Sequence, residues 1–337
     1  MAGRGTRAAR GGPRRDDDLI GNGDGGGGFM SGGGTALVIG EALIDAVERA
    51  DGSRERHPGG SPANVAIGLG RLGRDVALAT WLGDDADGDA IRAHLRSSDV
   101  RVLRGDRSAT RTPTATAHLD AQGVATYDFD LEWDLAGAWD DEPVAPLVVH
   151  TGSIATVLEP GAQRVRAELE RRRDTATITY DPNLRPALMG SPAHALPYVT
   201  ALVSLADVVK VSDEDLAWLH PGTPPGEVAA DWAQRGPALV VVTHGGEGAF
   251  AVSASGARLF VAAPRVTVVD TVGAGDSFMG GLVDGLWTAG LLGADRRQAL
   301  RDADATTIES VLTRCARIAA ITVSRAGANP PRADELD

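Results

Sequence analysis

The chain of 337 residues has very little cysteine, lysine or aromatic residue, and each shortage excludes a class of protein. Cys315 is the only cysteine, so an internal disulfide and a cysteine-rich zinc site are both impossible. Lys210 is the only lysine, and no glycine-rich loop precedes it, which excludes a Walker-type phosphate loop. Aromatic residues make up 4% of the chain, so the core must consist mainly of alanine, valine, leucine and isoleucine.

Long apolar runs and an excess of positive charge are missing as well. No run approaches the roughly 18–20 apolar residues that cross a bilayer, and no apolar segment of a secretory signal follows the basic N-terminus. The formal net charge of −13 disfavours a nucleic-acid partner, because that binding is driven by cations that displace counterions from phosphates. Together with the single cysteine, these features lead us to expect a cytoplasmic protein that acts on small molecules, with no nucleic-acid or membrane partner.

Residues 1–34 have low complexity. Five arginines among the first fifteen residues are followed by three aspartates and then by a glycine-rich tract. Such a segment buries too little apolar surface to offset its conformational entropy. We therefore predict a disordered Gly/Arg-rich tail at 1–34, a folded domain at 35–331 and a short C-terminal tail at 332–337.

Short apolar runs rich in β-branched residues alternate with amphipathic helical patterns over the rest of the chain. Continuous rather than alternating apolar runs are typical of strands that are covered on both faces. The pattern predicts an α/β fold with a doubly wound, mostly parallel sheet. The predicted strands are 36–39, 76–80, 147–150, 176–180, 208–211, 238–243 and 266–269, and the predicted helices are 64–72, 88–97, 161–173, 213–219, 227–235, 277–289 and 308–325.

The segment 112–130 departs from this rhythm. Its apolar and polar residues nearly alternate on both sides of Gln122 and Gly123, which predicts a β-hairpin. A hairpin inserted into a parallel α/β pattern either covers a site as a lid or extends the edge of the sheet. The sequence alone leaves both possibilities open.

The segment 268–281 (VVDTVGAGDSFMGG) is the most informative motif. Gly273 and Gly275 allow a tight turn, and a helical pattern begins near Asp276. Free backbone amides at a helix start bind anions, and a carboxylate placed there can take a proton from a hydroxyl group while the amides stabilise a transferring phosphoryl group. From the residues alone, an ordinary N-cap role for Asp276 is the alternative.

This motif and the segment 57–73 (HPGGSPANVAIGLGRLG) resemble the two signatures of the ribokinase-like (phosphofructokinase-B) carbohydrate kinases, the second in the form seen in fructokinases. The resemblance covers about 36–331. It implies a three-layer α/β/α domain with a small β lid, formed near 45–57 and 112–130, that transfers the γ-phosphoryl group of ATP to a sugar hydroxyl. It also implies that Asp276 is the general base and that the anion hole consists of the backbone amides of Gly273, Ala274, Gly275 and Asp276.

On the sugar side, the resemblance implies that Asp45 and Asn64 bind sugar hydroxyls and that Arg185, in the DPNLRP segment, contacts substrate or phosphate. Gly59 and Gly60 would let the backbone approach the sugar closely. Without the resemblance, these residues would be interpreted as a solvated carboxylate, a turn that precedes a helix and a surface arginine. Ribokinases usually carry a lysine in the Gly-Gly motif, and the Ser61-Pro62 pair found instead favours a fructose-like hexose.

On the nucleotide side, the segment 241–248 (VVTHGGEG) matches the family's nucleotide loop, so Thr243, Gly245 and Gly248 are predicted to bind ATP together with Gly275. A glycine-rich turn between two strands explains the same residues without a ligand.

The resemblance also implies metal sites. The segment 210–215 (KVSDED) lies where the family often has an Asn-x-x-Glu motif that organises Mg²⁺ through water, but Ser212 replaces the asparagine, and both Asp215 and Glu214 are candidates for the acidic position. A helix capped by Ser212 is the simpler alternative. Asp270 corresponds to a residue near a monovalent-cation site, for which K⁺ is the expected ion.

The leading hypothesis from the sequence is an ATP-dependent fructokinase. A 2-keto-3-deoxygluconate kinase or another sugar kinase of the same family is the alternative within this class, and a non-catalytic sugar or nucleotide sensor is the alternative from another class. The resemblance also leaves a homodimer open.

Overall fold

The computed structural model describes residues 33–103, 106–120, 125–136 and 145–336. The predicted tail at 1–34 lies almost wholly outside these residues, as do Gln122 and Gly123. The strands are β1 (Thr35–Ile39), β2 (Leu43–Arg49), β3 (Arg54–Gly59), β4 (Val76–Ala79), β5 (Val100–Val102), β6 (Thr114–Leu119), β7 (Ala125–Asp130), β8 (Pro146–Gly152), β9 (Thr177–Asp181), β10 (Val208–Ser212), β11 (Leu239–Thr243), β12 (Gly248–Ser253) and β13 (Arg258–Ala262).

Helices lie between most of these strands, as the alternating pattern predicts. They are α1 (Ser61–Arg71), α2 (Ala86–Arg96), α3 (Gly161–Arg172), α4 (Pro186–Met189), α5 (Pro192–Leu205), α6 (Asp213–Leu219), α7 (Pro225–Ala233), α8 (Ala274–Thr288), α9 (Arg297–Arg301) and α10 (Ala305–Val323).

The main sheet has nine strands in the order β13-β12-β11-β10-β9-β8-β1-β4-β5. The pairings are parallel from β11 to β5, whereas β12 and β13 are antiparallel at one edge. One apolar cluster packs α1, α2, α8 and α10 on one face, and a second packs α3, α5, α6 and α7 on the other. Both faces of the central strands are therefore buried, and the predicted three-layer α/β/α fold is confirmed.

A second sheet stands apart from the first and has four strands in the order β3-β2-β6-β7. Two segments of the chain form this sheet, one between β1 and α1 and one between β5 and β8. Each segment is an antiparallel pair of strands, and the two segments are joined by parallel pairing of β2 with β6. The hairpin of segment 112–130 belongs to this second sheet rather than to an edge of the main sheet. We call this sheet the lid, and its role in covering the site stays a prediction.

The prediction of a strand at 266–269 is wrong. That segment is irregular and exposed, with Val268 at 59% and Val269 at 61% of full exposure. The backbone amide of Val269 donates to the carbonyl of Val323 at the end of α10, not to a strand. The edge of the sheet at this end is formed by β12 and β13, an antiparallel pair that the sequence analysis did not predict.

The end of the described chain packs on the domain. Residues 333–335 form a 3₁₀ turn, and Leu336 is buried in a small cluster with Leu72 and Ile318. Arg325 and Glu335 form an ion pair beside it. The segment assigned to a tail at 332–337 is thus in contact with the folded domain as far as Leu336. Within the described ranges, no helix is both long and apolar enough to cross a membrane.

Candidate active site

The start of α8 carries the acidic residue that the sequence singles out. Gly273 is the N-cap and has a left-handed φ of 75°, and a Cβ atom there would lie 2.7 Å from Cβ of Ala328. Both conditions require glycine. Asp276 follows in the first turn of the helix and is 7% exposed. Its carboxylate therefore lies at the positive end of a fifteen-residue helix.

Three side chains from two other segments hold this carboxylate. Ser61 Oγ donates to Asp276 Oδ1 over 2.7 Å, and Asn64 Nδ2 donates to Asp276 Oδ2 over 2.8 Å. Asn183 Nδ2 approaches Asp276 Oδ1 at 3.4 Å from the loop after β9. Asn183 has a left-handed φ of 38°, which asparagine tolerates better than most residues. Helix α1 and the loop after β9 thus converge on Asp276 and orient it.

Two glycines set the position of α1 relative to the lid. Gly60 is the N-cap of α1 with a φ of 105°, and a Cβ atom there would lie 2.5 Å from the backbone oxygen of Glu41. At Gly59, a Cβ atom would lie 2.0 Å from Oδ2 of Asp45 on β2. The predicted sugar-side glycines therefore bring strands β2 and β3 of the lid close to the start of α1.

Asp45 on β2 and Arg185 in the loop after β9 are close enough to interact electrostatically. Asp45 reaches solvent, yet protein atoms crowd its carboxylate, and this burial raises its pKa while Arg185 and His57 oppose the rise. The guanidinium group of Arg185 donates to Oδ1 of Asn183 over 2.7 Å and to the carbonyl of Leu184 over 3.0 Å. This region thus contains a carboxylate and a guanidinium group, which together can accept and donate hydrogen bonds to hydroxyl groups.

A buried ion pair joins the last residue of β9 to the middle of β10. Lys210 Nζ is 2.9 Å from Asp181 Oδ2, and the two side chains are 4% and 0% exposed. Burial raises the pKa of Asp181 to about 6, although Lys210 opposes the rise. The other carboxylate oxygen of Asp181 is buried and has no hydrogen-bond partner among the described residues.

Asp215 lies in the first turn of α6 and faces this pair. Its Oδ1 accepts the backbone amide of Leu184 over 3.1 Å, and Ser212 caps the helix by accepting the Asp215 amide. Burial raises the pKa of Asp215, and Lys210 partly offsets that effect. Glu214 is exposed. Of the two predicted metal-organising carboxylates, Asp215 therefore faces the cluster, and the described residues contain no group of three or more metal-ligating side chains.

Three of the four predicted nucleotide residues, Thr243, Gly245 and Gly248, lie around the turn from β11 to β12, whereas Gly275 lies in the first turn of α8. Thr243 ends β11 and is in register with Ser212, and its hydroxyl lies 3.5 Å from the carbonyl of Val211. Gly248 has a φ of 132°, and a Cβ atom there would lie 2.1 Å from the carbonyl of Val261. Gly248 therefore also has a packing role against β13, whereas a Cβ atom at Gly245 would meet open space.

Asp270 joins two loops next to α8. Its Oδ1 accepts the amide of Val272 over 3.0 Å, and its Oδ2 accepts the amide of Gly327 over 2.9 Å. These two hydrogen bonds lower the pKa of Asp270. Its observed contacts fix the approach to the turn at Gly273, and the monovalent-cation site near it stays a prediction.

The sequence analysis did not identify four residues of this arrangement. Ser61 was noted only as a departure from ribokinases, and Glu41, Asp181 and Lys210 were given no role. A signal for Lys210 exists, because a lysine inside a strand of valines is rarely buried without a partner. The partner itself depends on which strand lies next to β10, and the motif does not contain that information.

Comparison with known proteins agrees with this architecture. Residues 35–334 match the pfkB family carbohydrate kinases. A fructokinase from Rhizobium leguminosarum bv. trifolii is 34% identical over 79% of this chain and 85% of its own length. The structure of a fructokinase from Xylella fastidiosa with bound ATP has a TM-score of 0.77 and 26% identity, and covers 90% of this chain and 96% of that one.

A second solved structure is a fructokinase double mutant from Vibrio cholerae O395 in a form with fructose, ADP and potassium ion bound. It has a TM-score of 0.69 and 25% identity, and covers 88% of this chain and 94% of that one. The fold and the family match thus define a phosphotransferase that acts on a small polar alcohol. The chain belongs to the pfkB family of carbohydrate kinases and is an ATP-dependent sugar kinase.

Proposed function

We propose that this sugar kinase is a fructokinase in which Asp276 acts as general base. The observation that carries the proposal is the carboxylate of Asp276, buried at the start of α8 and held by Ser61 Oγ and Asn64 Nδ2. The preference for fructose is supported by the fructokinases among the relatives and by Ser61-Pro62 in the Gly-Gly motif.

In the proposed reaction, Asp276 takes the proton of a sugar hydroxyl. The sugar oxygen forms a bond to the γ-phosphorus of ATP as the bond from that phosphorus to the bridging oxygen breaks, which leaves ADP. The backbone amides of Gly273, Ala274, Gly275 and Asp276 are proposed to stabilise charge on the transferring group, because most N–H groups at a helix start have no partner inside the helix. The amide of Ala274 donates to the carbonyl of Thr271 over 3.2 Å, so this amide would have to share its proton with the transferring group.

The sugar is bound on the lid side of Asp276. Asp45 and Asn64 would contact hydroxyls, Arg185 would contact the sugar or the transferring phosphoryl group, and the glycines Gly59 and Gly60 leave room beside them. A lid that covers the sugar excludes water, which would otherwise accept the phosphoryl group.

The nucleotide side is proposed to consist of Thr243, Gly245, Gly248 and Gly275. Asp215, with Glu214 at the rim, would organise Mg²⁺ through water, since carboxylate oxygen is the donor that this hard cation prefers. When bound, Mg²⁺ neutralises charge on the phosphate oxygens. A monovalent cation near Asp270 is part of the same proposal.

A substrate panel tests the proposal directly. With ATP and Mg²⁺, we expect the highest kcat/KM for fructose and lower values for ribose, glucose and 2-keto-3-deoxygluconate. A preference for the keto acid would instead assign the alternative kinase, and binding of fructose or ATP without turnover would assign a sensor.

The role of Asp276 is tested in the same assay. Asp276→Asn should lower kcat by about 10³-fold, because the substitution removes both the proton acceptor and the negative charge of the carboxylate. Asp302→Asn, at an exposed position after α9, is the matched control and should leave kcat unchanged. If Asp276→Asn retained more than about a tenth of the activity, Asp276 would be only a helix cap.

A further inference from the structure

Lys210 is the only lysine of the chain, and it is buried in the middle layer of the fold. It lies on β10 between Val209 and Val211, which are 0% and 1% exposed, and is itself 3% exposed. A lysine in such a position is rare unless a charge partner is present. Nothing in the proposed reaction so far uses this cation.

The surroundings of Lys210 are acidic. Burial alone would lower its pKa, but the carboxylates of Asp181, Asp215 and Asp276 outweigh burial and raise the pKa. Burial, together with the charge of Lys210, lowers the pKa of His150 to about 3, so this imidazole is neutral at physiological pH. Lys210 is thus a single positive charge that faces three carboxylates.

Lys210 also lies against the turn that begins α8. A Cβ atom at Gly275 would lie 2.9 Å from Nζ of Lys210 and 3.9 Å from its Cε. The ammonium group therefore occupies the space that any larger residue at 275 would need. Its contact with the turn and its salt bridge to Asp181 place one cation between the end of β9 and the start of α8.

We propose that Lys210 is a positioning residue for the phosphoryl transfer: its ammonium group supports the turn at Gly275 and balances the surrounding carboxylates so that Asp276 stays available as a base. This inference rests on the proposed function. The charged groups that act on Asp276 are Lys210 on β10, Asp181 on β9 and Asp45 on β2. Asp215 on α6 acts on Lys210 and Asp181, and Arg185 acts on Asp45 and Asp215. Lys210 is the buried cation of this set, whereas Arg185 is exposed and bonded to Asn183.

Kinetics of Lys210→Met provide the first test. We expect kcat to fall about 100-fold, comparable to the loss of one oxyanion donor, with a much smaller change in KM for the sugar. The acidic limb of the kcat profile should move to higher pH, because a carboxylate that loses a nearby cation holds its proton more tightly. An unchanged profile with kcat within about threefold of the parent would overturn the proposal.

The double variant Asp181→Asn with Lys210→Met separates positioning from a merely structural ion pair. Replacing both charges of a buried pair is often neutral for stability, whereas removing one leaves an uncompensated charge. The double variant should therefore regain the melting temperature lost in Lys210→Met and still have low kcat. Recovery of both properties would show that Lys210 serves only to neutralise Asp181.

A second readout uses the fact that the chain has one lysine. Protein grown with ¹³Cε-lysine gives a single labelled side-chain signal, which reports Lys210 alone. We expect this signal to move when fructose and ADP are added together and to move in Asp276→Asn, but not in Asp302→Asn. A signal that responds to none of these changes would overturn the proposal.

The labelled protein also separates the two hypotheses. If the unmodified enzyme phosphorylates no sugar, the proposed function fails, and the response of the Lys210 signal to Asp276→Asn still decides whether the two groups are coupled. If the unmodified enzyme is active and Lys210→Met is equally active, only the inference about Lys210 fails.

Discussion

Two helices begin at the active site, both after a glycine N-cap with positive φ, yet their surroundings differ. At α1, Gly60 is pressed against the backbone of Glu41, and Ser61, Pro62 and Ala63 are buried. At α8, Gly273 through Gly275 are half-buried, and Thr271 and Val272 next to them are exposed. Helix starts in general carry amides without a partner inside the helix, but of these two starts only that of α8 is partly exposed. The packing around a glycine-capped helix start therefore determines whether its amides are buried or can bind an anion.

The largest effect is expected from a substitution at the buried N-terminus of α1. Gly60→Ala introduces both an unfavourable left-handed φ and a clash with the Glu41 carbonyl, so we expect a loss of about 4 kcal/mol in the free energy of unfolding. Gly73→Ala is a matched control, because Gly73 follows α1 with a φ of 82° but would meet no atom within 4 Å. It should lose only about 1 kcal/mol. Equal losses in urea titrations would show that the contact with Glu41 is unimportant.

A smaller effect on stability is expected from Glu41, whose backbone carbonyl lies against Gly60 at the N-terminus of α1. Glu41 Oε2 accepts the amide of Ala155 over 3.2 Å, and burial raises the pKa of Glu41 from 4.5 to about 7 despite its hydrogen bonds. The folded state therefore binds a proton more tightly than the unfolded chain, and Glu41 makes the protein less stable as pH rises through this range.

Glu41→Gln removes that dependence. Between pH 5 and pH 8, the stability of the variant relative to the parent should increase by about 2 kcal/mol. Urea unfolding at both pH values measures the difference. A constant difference at the two pH values would mean that Glu41 does not titrate in this range.

The smallest of these effects concerns the contact between the two helix starts. Ser61→Ala removes one donor from Asp276 and should lower kcat about tenfold, since a hydrogen bond to a charged group contributes about 1.5 kcal/mol. Ser97→Ala, at the exposed end of α2, should leave kcat unchanged. If Ser61→Ala changed KM for the sugar and left kcat intact, Ser61 would contact the sugar rather than orient Asp276.

Most of the main sheet could be predicted because its strands are buried on both faces and appear as continuous apolar runs, as in β1, β8 and β10. The same signal failed at 266–269, where four residues rich in valine run beside the site without joining a sheet. A β-branched run shows that a segment favours extended backbone, but not that a neighbouring strand is available. The edge position was already occupied by β13.

The site was predictable to the extent that its chemistry lies in contiguous motifs. The turn at Gly273 and the acid at Asp276 are three residues apart, and the motif that contains them is specific. By contrast, Lys210 and Asp181 are 29 residues apart and meet only because β9 and β10 are neighbours. The contact of Ser61 with Asp276 spans 215 residues. Such pairs depend on strand order and helix packing, and no local pattern contains them.

The parallel pairing of β2 with β6 affects the order in which the chain folds. These two strands are separated by more than sixty residues, which include α1, β4 and α2. Closing so long a loop is entropically unfavourable until the intervening units have collapsed against each other. The lid should therefore assemble last and open first under mild denaturant, which would make its backbone amides exchange with deuterium ahead of those in the central strands.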